Sequence, residues 1–258
     1  MTKPTTQEIN AMLGITDSYQ APAALMAILY DKPRRELLFT AMLEAHRFDV
    51  TYDWFTDYFQ DEHADRKTQK QDFTPRSIST LLSHLVGETA SGDGSYYEPA
   101  AGTGGITITQ WQNDRIQHSP FDFKPSWYIY TVEELSDRAM PFLLFNLMIR
   151  GMNAVVVHGD VLTREAKAAY FVQNDRDDHL TYSSLNRLPQ NDATAELLAV
   201  TWANAYAFAE HTESPVVWHG MPAFNPDRPE RGEVSDFTKA IYALCGDTSY
   251  ITETEALK

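Results

Sequence analysis

Apolar positions follow a helical rhythm in the first part of this chain and a strand rhythm in the middle. Ala23 to Tyr30 and Arg35 to Ala45 are rich in Ala, Leu and Met, within a helical pattern that runs from Gln7 to about Tyr58. Asp31-Lys-Pro33 breaks it. Pro22 suits the first turn of the earlier helix, where its missing N–H would have no partner anyway. From Asp61 to Gln71 the chain is charged and polar without apolar period, which reads as a hinge or loop. Ile78, Leu81, Leu82 and Leu85 then predict a helix over Ser77 to Val86, with Pro75 at its first turn.

Past the glycine-bearing loop Ser91 to Ser95 the rhythm changes. Tyr96 to Gly105 reads as a short strand entering a tight glycine turn, and Trp127 to Val132 as a second strand ending in Glu133-Glu134. Ser136 is a candidate N-cap for an apolar helix that reaches Arg150 and is closed by Gly151. Pro141 removes one backbone bond near its first turn, so a late start or a bend is expected. Ala154 to Val157 is a third strand, leading into His158-Gly159-Asp160, and Ala168 to Gln173 a fourth. Strand, helix, strand with acids at the strand ends is the grammar of an open parallel α/β sheet. Beyond Asn174 the pattern predicts a helix over Ala195 to Ala209, a strand over Pro215 to Trp218, a Pro-rich loop over Met221 to Glu230, and one more helix within Val234 to Leu257.

Composition narrows the picture. With 258 residues, 43% of them hydrophobic, the chain can bury one main core and carry a smaller extension. The expected division is a helical N-terminal extension over residues 1–70 and a main domain over 71–258. No apolar run approaches the roughly 18 residues needed to span a bilayer, and the first residues lack the apolar core of a secretory signal. The expected place is the cytoplasm, with no membrane partner. The lone Cys245 and the lack of any Cys/His cluster at zinc spacing set aside disulfides and structural metal. A net charge of −15 has the wrong sign for gripping a phosphate backbone unaided. Any DNA contact must be local or borrowed, and the candidates are Arg66, Lys67, Lys70 and Arg76, with Lys32, Arg34 and Arg35 upstream.

In open α/β sheets ligands bind outside the carboxyl ends of the strands, and three such ends carry distinctive residues here. The Ala101-Gly-Thr-Gly-Gly105 turn lacks bulky side chains, so its amides can approach a carboxylate or a ribose. Glu133 or Glu134, at the next strand end, can accept hydrogen bonds from a ribose diol. Asp160 can accept from an exocyclic adenine amine.

These segments match a family pattern. Asp72-Phe-Thr-Pro75 precedes Glu98-Pro-Ala-Ala-Gly-Thr-Gly-Gly105, followed by Val132-Glu-Glu-Leu-Ser136, Phe145-Asn-Leu-Met-Ile-Arg-Gly151 and Gly159-Asp-Val-Leu162. In this order the chain resembles the gamma-type DNA adenine-N6 methyltransferases, most closely the modification subunit of type I restriction systems. The resemblance implies a Rossmann-like sheet with helices on both faces and S-adenosylmethionine as cofactor. It implies a cofactor site drawn from Phe73, Thr74, Pro75, Glu98, Ala100, Ala101, Gly102, Thr103, Gly104, Gly105, Glu133, Glu134, Asp160 and Val161. In that assignment Thr74 and the glycine turn flank the methionine part, Glu134 takes the ribose hydroxyls and Asp160 the adenine amine.

The pattern departs at the family's catalytic motif, an Asn or Asp followed by two prolines and an aromatic after the fourth strand. Tyr170-Phe-Val-Gln173 is followed here by Asn174-Asp-Arg-Asp-Asp178. Asn174 is the remnant able to orient a target amine, with Asp175 and Asp177 the next candidates. Asn225-Pro226 follows no comparable strand, and Tyr182 is a candidate for stacking on a flipped base. Three readings stay open: an active DNA adenine-N6 methyltransferase, a catalytically silent cofactor-binding module, and an acidic decoy in a restriction-modification complex. The expected partners are DNA, bound weakly by the chain alone, and a separate specificity subunit or other restriction-modification partner, with self-association left open.

Overall fold

Three helices lead the described residues, the first and third starting at side-chain caps and the second at a proline. In α1 (Thr6–Leu13) the Thr5 and Glu8 side chains form a reciprocal capping box, and Gly14 ends the helix at φ 72°. α2 (Ala21–Leu29) has Pro22 in its first turn. α3 (Lys32–Ala45) is capped by the Asp31 side chain, which accepts from the Arg34 N–H. The structure, a computed structural model, describes residues 3–59, 95–203 and 211–214. The elements expected over 77–86, 215–218, 221–230 and 234–257 lie outside them, as do Arg66, Lys67, Lys70, Phe73, Thr74, Pro75, Arg76, Asn225, Pro226 and Cys245.

Among the described residues the central element is a six-stranded, mostly parallel sheet. β1 (Ser95–Glu98), β2 (Ile129–Glu134) and β3 (Ala154–Asp160) run parallel, joined by α4 (Gly105–Ile116) and α5 (Met140–Ile149). α5 starts late, as Pro141 requires. The Ser136 hydroxyl accepts from the Arg138 and Ala139 N–H groups ahead of it, and Pro141 falls in its first turn. Every residue of α5 is buried, because the sheet lies on one side and α2 packs on another. One continuous core joins Leu25, Phe39 and Phe55 of the N-terminal layer to Phe142 and Phe145 of α5 and to Val132, Val156 and Tyr170 of the sheet. On the opposite face Val155, Val157 and Phe171 pack with Leu198 of α6 (Asp192–Leu198), so helices cover both faces. Ala199, at φ 51°, ends α6 inside the longer helix expected from Ala195.

The fourth strand corrects an expectation. β4 (Glu165–Gln173) does not continue the parallel run; it folds back antiparallel on β3, pairing Asp160 with Glu165 and Ala154 with Val172. The four residues 161–164 are too few for a parallel crossover, which needs about a dozen. Gly159 makes the close return possible, since a Cβ there would lie 2.6 Å from the Glu165 carbonyl oxygen. β5 (Ser184–Arg187) pairs antiparallel with β4, and β6 (Thr201–Trp202) pairs parallel with it. Among the described residues no helix is long and apolar enough to cross a membrane.

Candidate functional site

Because β1, β2 and β3 are parallel and adjacent, Glu98, Glu134 and Asp160 emerge along one edge of the sheet. The glycine turn lies over that edge. The Ala101 N–H donates to the Glu133 carbonyl at 2.9 Å and the Gly104 N–H to the Ala101 carbonyl at 2.8 Å. Gly102 and Gly104 have φ of 58° and 94°, a region that favours glycine, and a Cβ on Gly104 would come within 3.0 Å of Leu143. Gly105 then opens α4, whose cap Gly104 contributes no side-chain hydrogen bond, so the positive end of the helix dipole is directed at the turn. Of the other turn residues, Ala100 is exposed and Ala101 and Thr103 are buried.

Glu134 joins the turn to β2. One carboxylate oxygen accepts from the Gly102 N–H and the other from the Ser136 N–H, both at 2.7 Å. An ionised carboxylate offers about four lone-pair sites, so capacity for two further donors remains. Glu98 lies deeper, accepting from the Thr107 hydroxyl and, at 3.1 Å, from the Tyr96 hydroxyl. Burial pushes its carboxyl up to about 7, against the lowering effect of those two donors. Asp160 is half-buried, and its Oδ1 accepts from the Leu162 N–H at 2.8 Å, next to the half-buried Val161.

Glu133 is a correction. Neighbouring residues of a strand point to opposite faces, so when Glu134 reaches the glycine turn, Glu133 is turned away from it. Its carboxylate accepts from Arg164 Nη1 at 2.8 and 2.9 Å and from the Tyr97 hydroxyl at 2.9 Å. Arg164 also donates to the Leu198 and Ala199 carbonyls, so this ion pair fastens the end of α6 to the sheet.

A second correction concerns the catalytic candidates. β4 runs against β3, so its carboxyl end carries Asn174 to the edge where the parallel strands begin, opposite Glu98, Glu134 and Asp160. Asn174 is 1% exposed there. Its backbone N–H donates to Asn153 Oδ1 at 2.8 Å, and its Nδ2 donates to the Gly151 and Asp178 carbonyls at 3.0 and 2.8 Å. Its Oδ1 accepts from the Asp178 N–H and the Thr181 hydroxyl, both at 3.2 Å. The Thr181 hydroxyl has one hydrogen and lies closer, at 2.8 Å, to the Asp178 carbonyl, so it is burial that closes Asn174 to an adenine amine. Asp177 accepts from the Ser126 N–H at 2.8 Å and lies 3.7 Å from Lys124, while Asp175 is on the same turn. Tyr182 packs its ring 4.9 Å from that of Phe39, in the core. Of the upstream cations, Arg35 is also unavailable to DNA, being 1% exposed and 2.6 Å from Glu213.

The model of the N-6 DNA methylase family matches residues 44–182, more than half of the chain. The chain belongs to this family. The matched stretch spans the glycine turn, all three strand-end acids and the Asn174 turn. No individual curated protein matches the chain.

Within the methylase region the sequence reading missed three residues that support the turn. Asn146 and Arg150 are one helical turn apart on otherwise apolar α5 and are buried at 0% and 4% exposure. Asn146 Nδ2 donates to the Thr103 carbonyl at 2.7 Å and to Asp53 Oδ1 at 2.8 Å. Arg150 donates to Asn146 Oδ1 and to the Val50 and Tyr52 carbonyls. Burial pulls its guanidinium down to about 9, with the Asp53 and Asp49 carboxylates opposing, so it is charged at neutral pH. The third is Asp53 itself, whose carboxylate also accepts from the Thr103 hydroxyl. Two polar residues inside an apolar helix were the available signal; Asp53 carried none, since its partners are remote in sequence.

Proposed function

We propose that this chain binds S-adenosylmethionine at the carboxyl edge of β1, β2 and β3 and serves methylation of adenine N6 in DNA, together with a separate specificity partner. The observation that carries the reading is the convergence of the glycine turn, Glu134 and Asp160 on one edge inside a region matched by the methylase family. The donor set fits the cofactor. Ribose hydroxyls and an adenine amine need acceptors, which the two acids offer, and a methionine carboxylate needs N–H donors, which the turn and the start of α4 offer. When bound, the cofactor supplies an activated methyl group. Glu134 orients the ribose while holding the turn through the Gly102 N–H, Asp160 accepts from the adenine amine, and the turn excludes side chains from the cofactor's path. The net charge of −15 supports a cationic partner, since the duplex repels such a surface.

A second reading, a module that binds the cofactor but transfers nothing, is favoured by one observation: Asn174 is buried and hydrogen-bonded within its own turn at the far edge. Calorimetry with S-adenosylhomocysteine tests what the two readings share, and a labelled-methyl assay on varied DNA, with and without co-expressed neighbours, separates them. Binding with transfer supports the enzyme. Binding without transfer under every condition supports the silent module, and no heat from folded protein removes both.

A further inference from the structure

We infer that Asp53, in the N-terminal layer, is the positioning residue of the glycine turn, so that cofactor affinity depends on a carboxylate 50 residues upstream of Thr103. The inference rests on the proposed cofactor site and adds to it a part of the chain that the motifs do not include.

Thr103 sits between Gly102 and Gly104, both at positive φ, so the backbone on either side of it is the most permissive in the region. Glycine gives the turn its shape at the cost of freedom, and some other group must select one conformation. Thr103 is held at two atoms. Its hydroxyl donates to Asp53 Oδ2, and its carbonyl accepts from Asn146 Nδ2 at 2.7 Å. The same Asn146 amide donates its second hydrogen to Asp53 Oδ1 at 2.8 Å, closing a ring of three residues from three segments.

Asp53 is itself fixed. Its carboxylate accepts from the Phe55 N–H at 2.9 Å and the Thr56 hydroxyl at 2.7 Å, and the preceding Tyr52 carbonyl accepts from Arg150. The grip is thus transmitted from the 50–56 segment and α5 to the turn, through charge-assisted hydrogen bonds in largely buried surroundings. Asp53 is not a ligand in this scheme; it acts through Thr103. By reciprocity, whatever cofactor binding gains from an ordered turn is returned as order in the 50–56 segment.

The test combines calorimetry with S-adenosylhomocysteine and amide hydrogen exchange of the ligand-free protein, using Asp53→Ala, Thr103→Val and the double variant. Affinity should fall about tenfold to a hundredfold in either single variant, the scale of one hydrogen bond to a charged group. The amides of Gly102 and Gly104 should exchange faster, and the double variant should be little worse than either single one. Thr103→Ser, which restores the hydroxyl, should recover both readouts. Asp31→Ala, which removes the cap of α3 far from the turn, controls for general loss of stability and should leave affinity alone. Unchanged affinity and exchange in folded Thr103→Val, or an equal loss of affinity in Asp31→Ala, would overturn the inference. If Asp53→Ala does not fold, the Thr103 pair decides. If wild type binds no ligand, the cofactor reading fails, while the exchange measurement still decides whether Asp53 orders the turn.

Discussion

The two edges of the sheet carry similar chemistry and use it differently. At the carboxyl edge Glu134 accepts one N–H on each oxygen, and Asp160 is half-buried at the next strand end. At the amino edge the buried Asn174 donates to the Gly151 and Asp178 carbonyls and accepts from the Asp178 N–H. The first arrangement leaves acceptors beside a glycine turn. The second is a closed local motif, and Gly151 at φ 64° belongs to it, because a Cβ there would sit 2.5 Å from the Thr181 carbonyl oxygen and 2.8 Å from Asn174 Nδ2. A polar residue with the right chemistry is a candidate for function only after its own fold has been satisfied.

Substitutions can break this contrast or sharpen it. Asn174→Ala should have the largest effect, about 3 kcal/mol of stability, because several buried groups lose their partner at once. Urea unfolding measures it; cofactor affinity, and any methyl transfer per folded molecule, should be unchanged. A stable variant that loses transfer would return Asn174 to the chemistry.

Glu133→Ala should cost between about 2 and 3 kcal/mol, by leaving Arg164 without its carboxylate, and should also spare affinity. Equal loss of affinity in Glu133→Ala and Glu134→Ala would erase the difference between the two faces of β2.

Glu98 adds a dependence on pH. Its folded value of about 7 is raised above the ordinary 4.5 by burial. The folded state therefore holds the proton more tightly, and the stabilisation is complete below the unfolded value and lost as pH rises through about 7. Wild type should lose about 3 kcal/mol across that window, and Glu98→Gln should flatten the profile of urea midpoints against pH. A profile identical to wild type would show that Glu98 is not the titrating group.

Glu134→Ala and Asp160→Ala should each weaken S-adenosylhomocysteine binding about tenfold, near 1.4 kcal/mol. Unchanged affinity in Asp160→Ala would reduce that residue to the cap of the Leu162 amide.

Much of this architecture was legible locally. The capping box at Thr5, the late start at Pro141 and the glycine turn are each decided by neighbours in sequence, through caps, a missing N–H and permitted φ. The order of the acids along β1, β2 and β3 follows from two helical crossovers, of which the apolar pattern displayed only the second, and α4 came with the structure. The family resemblance had pointed to Glu134, and alternation says only that it and Glu133 must differ; the structure shows Glu134 reaching the glycine turn and Glu133 reaching Arg164.

Other features depended on pairings that no local pattern encodes. Strand periodicity is the same for parallel and antiparallel neighbours, so Ala168 to Gln173 was placed in the parallel run with nothing in its own pattern to say otherwise. The hairpin through 161–164 supplied that direction, and it moved Asn174 to the far edge. The short connection from Asp160 was the available warning. The Glu133–Arg164 pair and the Asp53–Thr103–Asn146 ring join residues up to 93 positions apart. Such contacts exist only after the layers have packed, because side-chain hydrogen bonds select partners by proximity in space. Composition and motif order were therefore enough to bring the glycine turn and the strand-end acids into view, while packing decided which polar residues support that turn and which hold the fold together.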